Sequence, residues 1–123
     1  MPFEALIREY QSRTERALAM GGAEKLAARK AAGVLNARER VDYLLDAESF
    51  IESGRYATSV RPEVRHKTPA DGKVVGFGRI DGREVGVISN DFTVLGASSA
   101  VVNQKKVKHV KSVAARQIGR AHV

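Results

Sequence analysis

The strongest constraint on this chain lies between residues 74 and 89. Val74-Val75-Gly76-Phe77-Gly78-Arg79-Ile80 and Arg83-Glu84-Val85-Gly86-Val87-Ile88-Ser89 flank the dipeptide Asp81-Gly82. The flanks are rich in Val and Ile, which fit a pleated surface. Asp-Gly suits a two-residue type I′ turn, which requires φ > 0 at both central positions. That turn dictates the pairing: Ile80 opposes Arg83, and Arg79 opposes Glu84 as an opposite-charge cross-strand pair. Phe77 then opposes Gly86, whose bare backbone its ring can cover. Gly76, Gly78 and Gly86 leave room for another segment to pack closely on the strands. Whatever else the chain does, it builds a β-hairpin.

Helices are predicted ahead of the hairpin. Phe3, Leu6, Ile7, Tyr10, Thr14, Ala17 and Leu18 recur at spacings of three and four, the signature of an amphipathic helix over residues 3–20. Gly21-Gly22 ends it, because glycine enters the left-handed region at a helix C-terminus without steric cost. A short helix over 23–32 stops at Gly33. The third helix has the best start signal: Asn36 caps it and Glu39 completes a capping box, with Val41, Leu44 and Leu45 as its buried stripe. Extended chain begins at Phe50-Ile51, and a weak strand is placed within 55–60. Gly54, Pro62, Pro69 and Gly72 make residues 53–72 loop-like.

After the hairpin, the strand-like run 90–95 leads into the small-residue turn Gly96-Ala97-Ser98-Ser99-Ala100. A basic helix over 101–116 follows, with Val107, Val110 and Ala114 on one face. The fold class read from these elements is α/β: N-terminal helices, a β-hairpin, then a strand-turn-helix.

Charge bears on function through its placement. The 123 residues carry 21 Lys or Arg and 14 Asp or Glu, a formal net charge of +7. Lys105, Lys106, Lys108, Lys111, Arg116 and Arg120 lie after residue 100 with no acid among them, so the excess basicity belongs to one terminal segment. A nucleic-acid-binding module built on the 101–116 helix is therefore one reading, although no aromatic is interleaved among the lysines to stack bases. A solvated face and a pocket for an anionic cofactor are the others. No Cys is present, which excludes a disulfide scaffold, a thiolate zinc site and a cysteine nucleophile. His66, His109 and His122 stand far apart with no carboxylate at ligand spacing, so no metal site is expected. No apolar run approaches the roughly 18 residues of a membrane helix, and Met1-Pro2-Phe3-Glu4 does not begin a secretion signal. The cytoplasm is the expected location.

The turn at 96–99 is the most promising chemistry. Backbone N–H groups at a helix start can hold an anion, aided by the helix dipole, and Lys105 and Lys106 lie close enough in sequence to add charge for a phosphate. A tight turn with two hydroxyl caps accounts for the same residues.

Three stretches in register resemble a known family. Gly33-Val34-Leu35-Asn36-Ala37-Arg38-Glu39-Arg40-Val41, followed by Ser49-Phe50-Ile51-Glu52, is similar to the Gly-x-Leu-Thr-Ala-Arg-Glu-Arg-Ile pattern of biotin-dependent acyl-CoA carboxylase carboxyltransferase (β) subunits of the propionyl-CoA and methylcrotonyl-CoA type. Asp71-Gly72-Lys73-Val74-Val75-Gly76-Phe77-Gly78-Arg79-Ile80-Asp81-Gly82-Arg83 resembles that family's next element. Asn90-Asp91-Phe92-Thr93-Val94-Leu95-Gly96-Ala97-Ser98 resembles its Gln-Asp-Phe-Thr-Val-x-Gly-Gly-Ser. Asn36 stands for the usual Thr, Val34 for a common Lys, and Ala97 for the second Gly. The resemblance covers about residues 21–116.

The resemblance implies a partial crotonase/ClpP-like domain and transfer of a carboxyl group from carboxybiotin to the α-carbon of an acyl-CoA through a thioester enolate. It makes Gly96, Ala97, Ser98 and Ser99 candidates for the wall of the CoA site and Lys105 and Lys106 candidates for phosphate contacts. No catalytic residue is assigned, because the family's later oxyanion segment falls outside these residues. Biotin is expected on a partner carrier domain or subunit, with a biotin carboxylase/biotin carrier subunit as partner and a homo-oligomer at full length. The chain then divides into a helical segment (1–46), the start of the acyl-CoA-binding domain (47–116) and a tail (117–123) that matches nothing expected of the family. Such a piece is expected to be inactive alone.

Overall fold

The computed structural model describes residues 2–95 and 101–118. Its elements are α1 (Pro2–Leu18), α2 (Ala23–Ala31), α3 (Ala37–Leu44), β1 (Ile51–Ser53), β2 (Lys73–Ile80), β3 (Arg83–Asn90) and α4 (Val101–Gln117). Two 3-10 stretches, Pro62–Lys67 and Pro69–Gly72, occupy the loop between β1 and β2. The 117–123 tail lies outside the described residues from 119 onward.

The hairpin forms as expected. Ile80 pairs with Arg83, Arg79 with Glu84 and Phe77 with Gly86. Asp81 (φ 49°) and Gly82 (φ 80°) take the left-handed conformations a type I′ turn demands. β1 adds antiparallel to the other side of β2, with Ile51 opposite Phe77 and Ser53 opposite Val75. The sheet order is β1-β2-β3.

Helices cover both faces of this sheet, which is why the central strand β2 is buried almost throughout instead of alternating. On one face Val74 and Val87 meet Val41 and Leu45, with Met20 and Ala37 completing the core. On the other, α4 lies so close that a Cβ at Gly86 would stand 3.0 Å from the Val110 side chain. Gly78 admits the Leu45 side chain and Gly76 the carbonyl of Ile51 in the same manner. All three strand glycines serve close packing.

The α3 capping box is present: Asn36 Oδ1 accepts from Glu39 N, and Glu39 Oε1 accepts from Asn36 N, both at 2.9 Å. α2 ends in a Schellman arrangement around Gly33 (φ 73°), with Val34 N donating to Arg29 O and Gly33 N to Lys30 O.

Several expectations are corrected. The α1 stripe exists, but among its apolar members only Ala17 is buried; Phe3, Leu6, Ile7, Tyr10 and Leu18 stay exposed, Tyr10 with the Tyr56 ring against its edge. Leu44 is exposed, since α3 turns Ala37, Val41 and the residue after its end, Leu45, toward the core instead. Met20 (φ 54°), not Gly21, takes the left-handed position after α1. Gly21 is needed for a different reason: a Cβ there would meet the carbonyl oxygen of Thr93 at 1.9 Å. No strand forms at 55–60, which is turn and irregular chain. Residues 91–95 are likewise turns, because the Asp91 carboxylate takes the backbone N–H of Thr93 and folds the chain back before a strand can extend.

Candidate functional site

Residues 96–100 lie outside the described residues, so the expected anion turn, Gly96, Ala97, Ser98 and Ser99, is approached through the structure that holds its two ends. On the upstream side Asp91 N donates to Gly72 O (2.8 Å). Asp91 Oδ1 accepts from both the N–H (2.9 Å) and the hydroxyl (2.5 Å) of Thr93. Thr93 Oγ1 accepts in turn from Gly21 N at 2.9 Å, tying the segment to the α1–α2 corner. Asp91, Thr93 and Val94 are all buried. Arg29 of α2 sits over the Phe92 ring, 5.2 Å from its centroid.

On the downstream side the first turn of α4 is capped from outside the helix. Asp71 Oδ2 accepts from Asn103 N (2.9 Å), and Asn103 Nδ2 donates to Asp71 O (3.1 Å). A carboxylate at a helix N-terminus opposes the positive end of its dipole. Ala70 (φ 51°) and Asp71 (φ 47°) are both left-handed, and this bend aims the carboxylate at the helix. Burial pushes the Asp71 carboxyl up from its ordinary value, against the Asn103 N–H and the nearby Lys106 and Lys73 charges.

Lys106 shares this interior. Its Nζ donates to Ala70 O (2.6 Å) and to Lys73 O. The residue is only 7% exposed, and its stem lies against Gly54, where an added Cβ would come within 2.9 Å of Cε. Burial lowers its pKa to about 8, with Glu52 and Asp71 working in the opposite direction. Glu52 is itself enclosed. Arg38 grips both its oxygens (2.6 and 3.1 Å), and Arg55 Nε donates to Oε1 at 2.8 Å. Burial raises the Glu52 pKa, but the two guanidiniums outweigh it and leave the carboxyl below its usual range.

The structure thus separates the two lysine candidates. Lys105 is exposed on α4, whereas Lys106 commits its ammonium to backbone carbonyls inside the fold. The basic face is correspondingly narrower: Lys105, Lys108, His109 and Lys111 remain on it. Sequence reasoning missed the polar anchors Asp71, Asn103 and Lys106. A signal was present in the 103–106–110–114 spacing, which places two polar residues on the stripe of Val110 and Ala114.

His66 and His109 are exposed, and no group of three His, Asp or Glu able to hold a metal occurs among the described residues. No helix among them is long and apolar enough to cross a membrane.

Residues 28–122 match the carboxyl transferase domain family. Over 110 residues the chain is 37% identical to the propionyl-CoA carboxylase carboxyltransferase subunit of Haloferax mediterranei, covering 87% of this chain and 21% of that one. It is 41% identical over 96 residues to a putative propionyl-CoA carboxylase beta chain of Bacillus subtilis, covering 78% and 19%. The chain therefore spans about a fifth of the length of these relatives. Among solved structures, the transcarboxylase 12S hexamer with methylmalonyl-coenzyme A and methylmalonic acid bound superposes with a TM-score of 0.83 at 33% identity, over 92% of this chain and 23% of that one. The motifs in register, the shared fold and the extent of the match agree: the chain belongs to the carboxyl transferase domain family.

Proposed function

We propose that this chain forms the beginning of the acyl-CoA half of a carboxyltransferase subunit, which moves a carboxyl group from carboxybiotin to the α-carbon of an acyl-CoA. The observation that carries this reading is the family match over residues 28–122, with relatives named for propionyl-CoA carboxylation. In this reading the hard step is forming the thioester enolate, whose oxygen needs preorganised donors supplied by a later part of the subunit. The chain's own contribution is binding. Backbone N–H groups of Gly96, Ala97, Ser98 and Ser99 line the CoA site, and exposed Lys105 reaches a CoA phosphate. Lys106 supports from within, by holding the 70–73 bend that caps α4. Biotin arrives on a carrier domain or subunit, and no residue of this chain is assigned to it. A biotin carboxylase/biotin carrier partner, a homo-oligomer and a cytoplasmic location complete the proposal.

A segment exchange tests it. Residues 21–118 replace the matching segment of the Bacillus subtilis relative, and biotin-dependent carboxylation of propionyl-CoA is measured. Retained carboxylation, with the KM for propionyl-CoA raised about tenfold by Ala97→Pro, which deletes one N–H donor, is the expected result. An assembled hybrid without carboxylation would sink the reading. The isolated 123 residues are expected to show no carboxylation, and measurable turnover by them would overturn that clause.

A further inference from the structure

On the side of the molecule away from β3, α1 and the loop after β1 enclose a cleft of about 380 Å³. Its polar lining is Arg13 and Arg16 from α1, Arg55, Tyr56 and Thr58 after β1, and Arg65 and His66 from the first 3-10 stretch. No carboxylate lines it. Buried Ala17 and Ala70 contribute an apolar floor. The volume falls within the range of small-molecule sites, roughly 300–1,000 Å³.

Carboxylates pair with two of the four arginines, Arg13 and Arg55, and with neither Arg16 nor Arg65 among the described residues. Glu52 is turned inward and shared between Arg55 and the more buried Arg38. Glu9 pairs with Arg13 across an exposed turn of α1, 2.6 Å apart, a contact that water and salt weaken. Arg16 makes no ion pair among the described residues. Arg65 donates only long hydrogen bonds to the carbonyls of Ser59 (3.3 Å) and Val60 (3.4 Å), which orient its guanidinium and leave other N–H groups available. Tyr56 is fixed by its hydroxyl contact with Thr14 (3.0 Å) and by the edge of Tyr10, 6.1 Å between centroids. Planar forks brought together from three separate segments are the arrangement that recognises tetrahedral oxyanions bidentately.

We propose that the cleft lined by Arg13, Arg16, Arg55 and Arg65 is a binding site for a phosphate-bearing small anion. This does not depend on the carboxyl-transfer reading, and none of its residues belongs to the 96–105 segment assigned there. The anion can be a free di- or polyphosphate or a phosphate carried on a nucleoside, and Tyr56 offers a ring for the latter.

Isothermal titration of the chain at low ionic strength with inorganic pyrophosphate, and separately with adenosine 3′,5′-bisphosphate, tests the proposal. Both should bind, and Arg16→Ala and Arg65→Ala should each weaken binding at least tenfold. Arg8→Ala, on the same helix but outside the cleft, should change it less than twofold. Tighter binding of the bisphosphate assigns the nucleoside-borne form, and equal binding assigns the phosphate groups alone. Circular dichroism melts establish that the variants fold. The proposal is overturned if neither anion binds, or if Arg8→Ala weakens binding as much as Arg16→Ala, which would mean diffuse attraction to a cationic surface.

Discussion

At the scale of single residues, the consequential positions are those where a side chain, or its absence, decides how two distant segments meet. Gly21 is one. Its backbone approaches Thr93 so closely that even a methyl group would overlap the Thr93 carbonyl. Gly21→Ala should destabilise the chain by about 3 kcal/mol through overpacking, read as a lowered urea midpoint. Lys106 is another. Its pKa falls from 10.5 in the unfolded chain to about 8 in the folded one. Between those values the unfolded state holds more protons, so this residue makes stability rise as pH increases from 8 to 10.5. The gain approaches about 3 kcal/mol at the top of that window, and the neutral amine still has two N–H groups for its two carbonyls. Lys106→Met should flatten this rise when urea denaturation is followed against pH. It should also cost about 1–3 kcal/mol at neutral pH by stranding Ala70 O and Lys73 O.

At the scale of elements, the hairpin and the capped helix were legible because their determinants are local. Asp81-Gly82 selects the turn, the turn selects the register, and Asn36 with Glu39 selects where α3 starts. Asn36→Ala should therefore cost about 1 kcal/mol, measurable as a lowered urea midpoint. The tip of the hairpin also has a partner that no local pattern announces. Asp46, just after α3, accepts from Asp81 N through Oδ1 and from Gly82 N through Oδ2, each at 2.9 Å. Those two N–H groups, Gly82 first, hold the Asp46 carboxyl below its ordinary value. Its contribution is present above the unfolded value of 3.8 and is lost as pH falls through the lower folded one. Asp46→Ala should speed amide hydrogen exchange at Asp81 and Gly82 at least tenfold, with little change in mid-strand β2. The run 90–95 misled because its apolar content suits a strand, whereas Asp91 and Thr93 make a side-chain-directed turn. The helical period of α1 was read correctly, but a period reports which residues share a face and not whether anything covers that face.

At the scale of the whole molecule, a three-stranded sheet lies between α3 on one face and α4 on the other, and a buried polar network links the 70–73 bend to α4. β3 pairs with β2 alone among the described residues, so one edge of the sheet is eight residues long and unpaired. Open edges recruit further strands. The chain should associate with rising concentration, and Ile88→Lys, on β3, should reduce that association in sedimentation velocity. The exposed apolar residues of α1 add to the same tendency. The amino-acid sequence by itself determined the hairpin and its register, the capped start of α3, the glycine stop of α2, and the motifs that place the chain in its family, because each depends on residues within a few positions of one another. Only the tertiary structure decided that Lys106 lies inside, that Asp71 caps a helix some thirty residues later, and that Gly21 makes way for Thr93. Only it gathered four arginines around one cleft. Those outcomes depend on which surfaces meet once the elements pack, and a carbonyl, a carboxylate or a guanidinium acquires its partner only then.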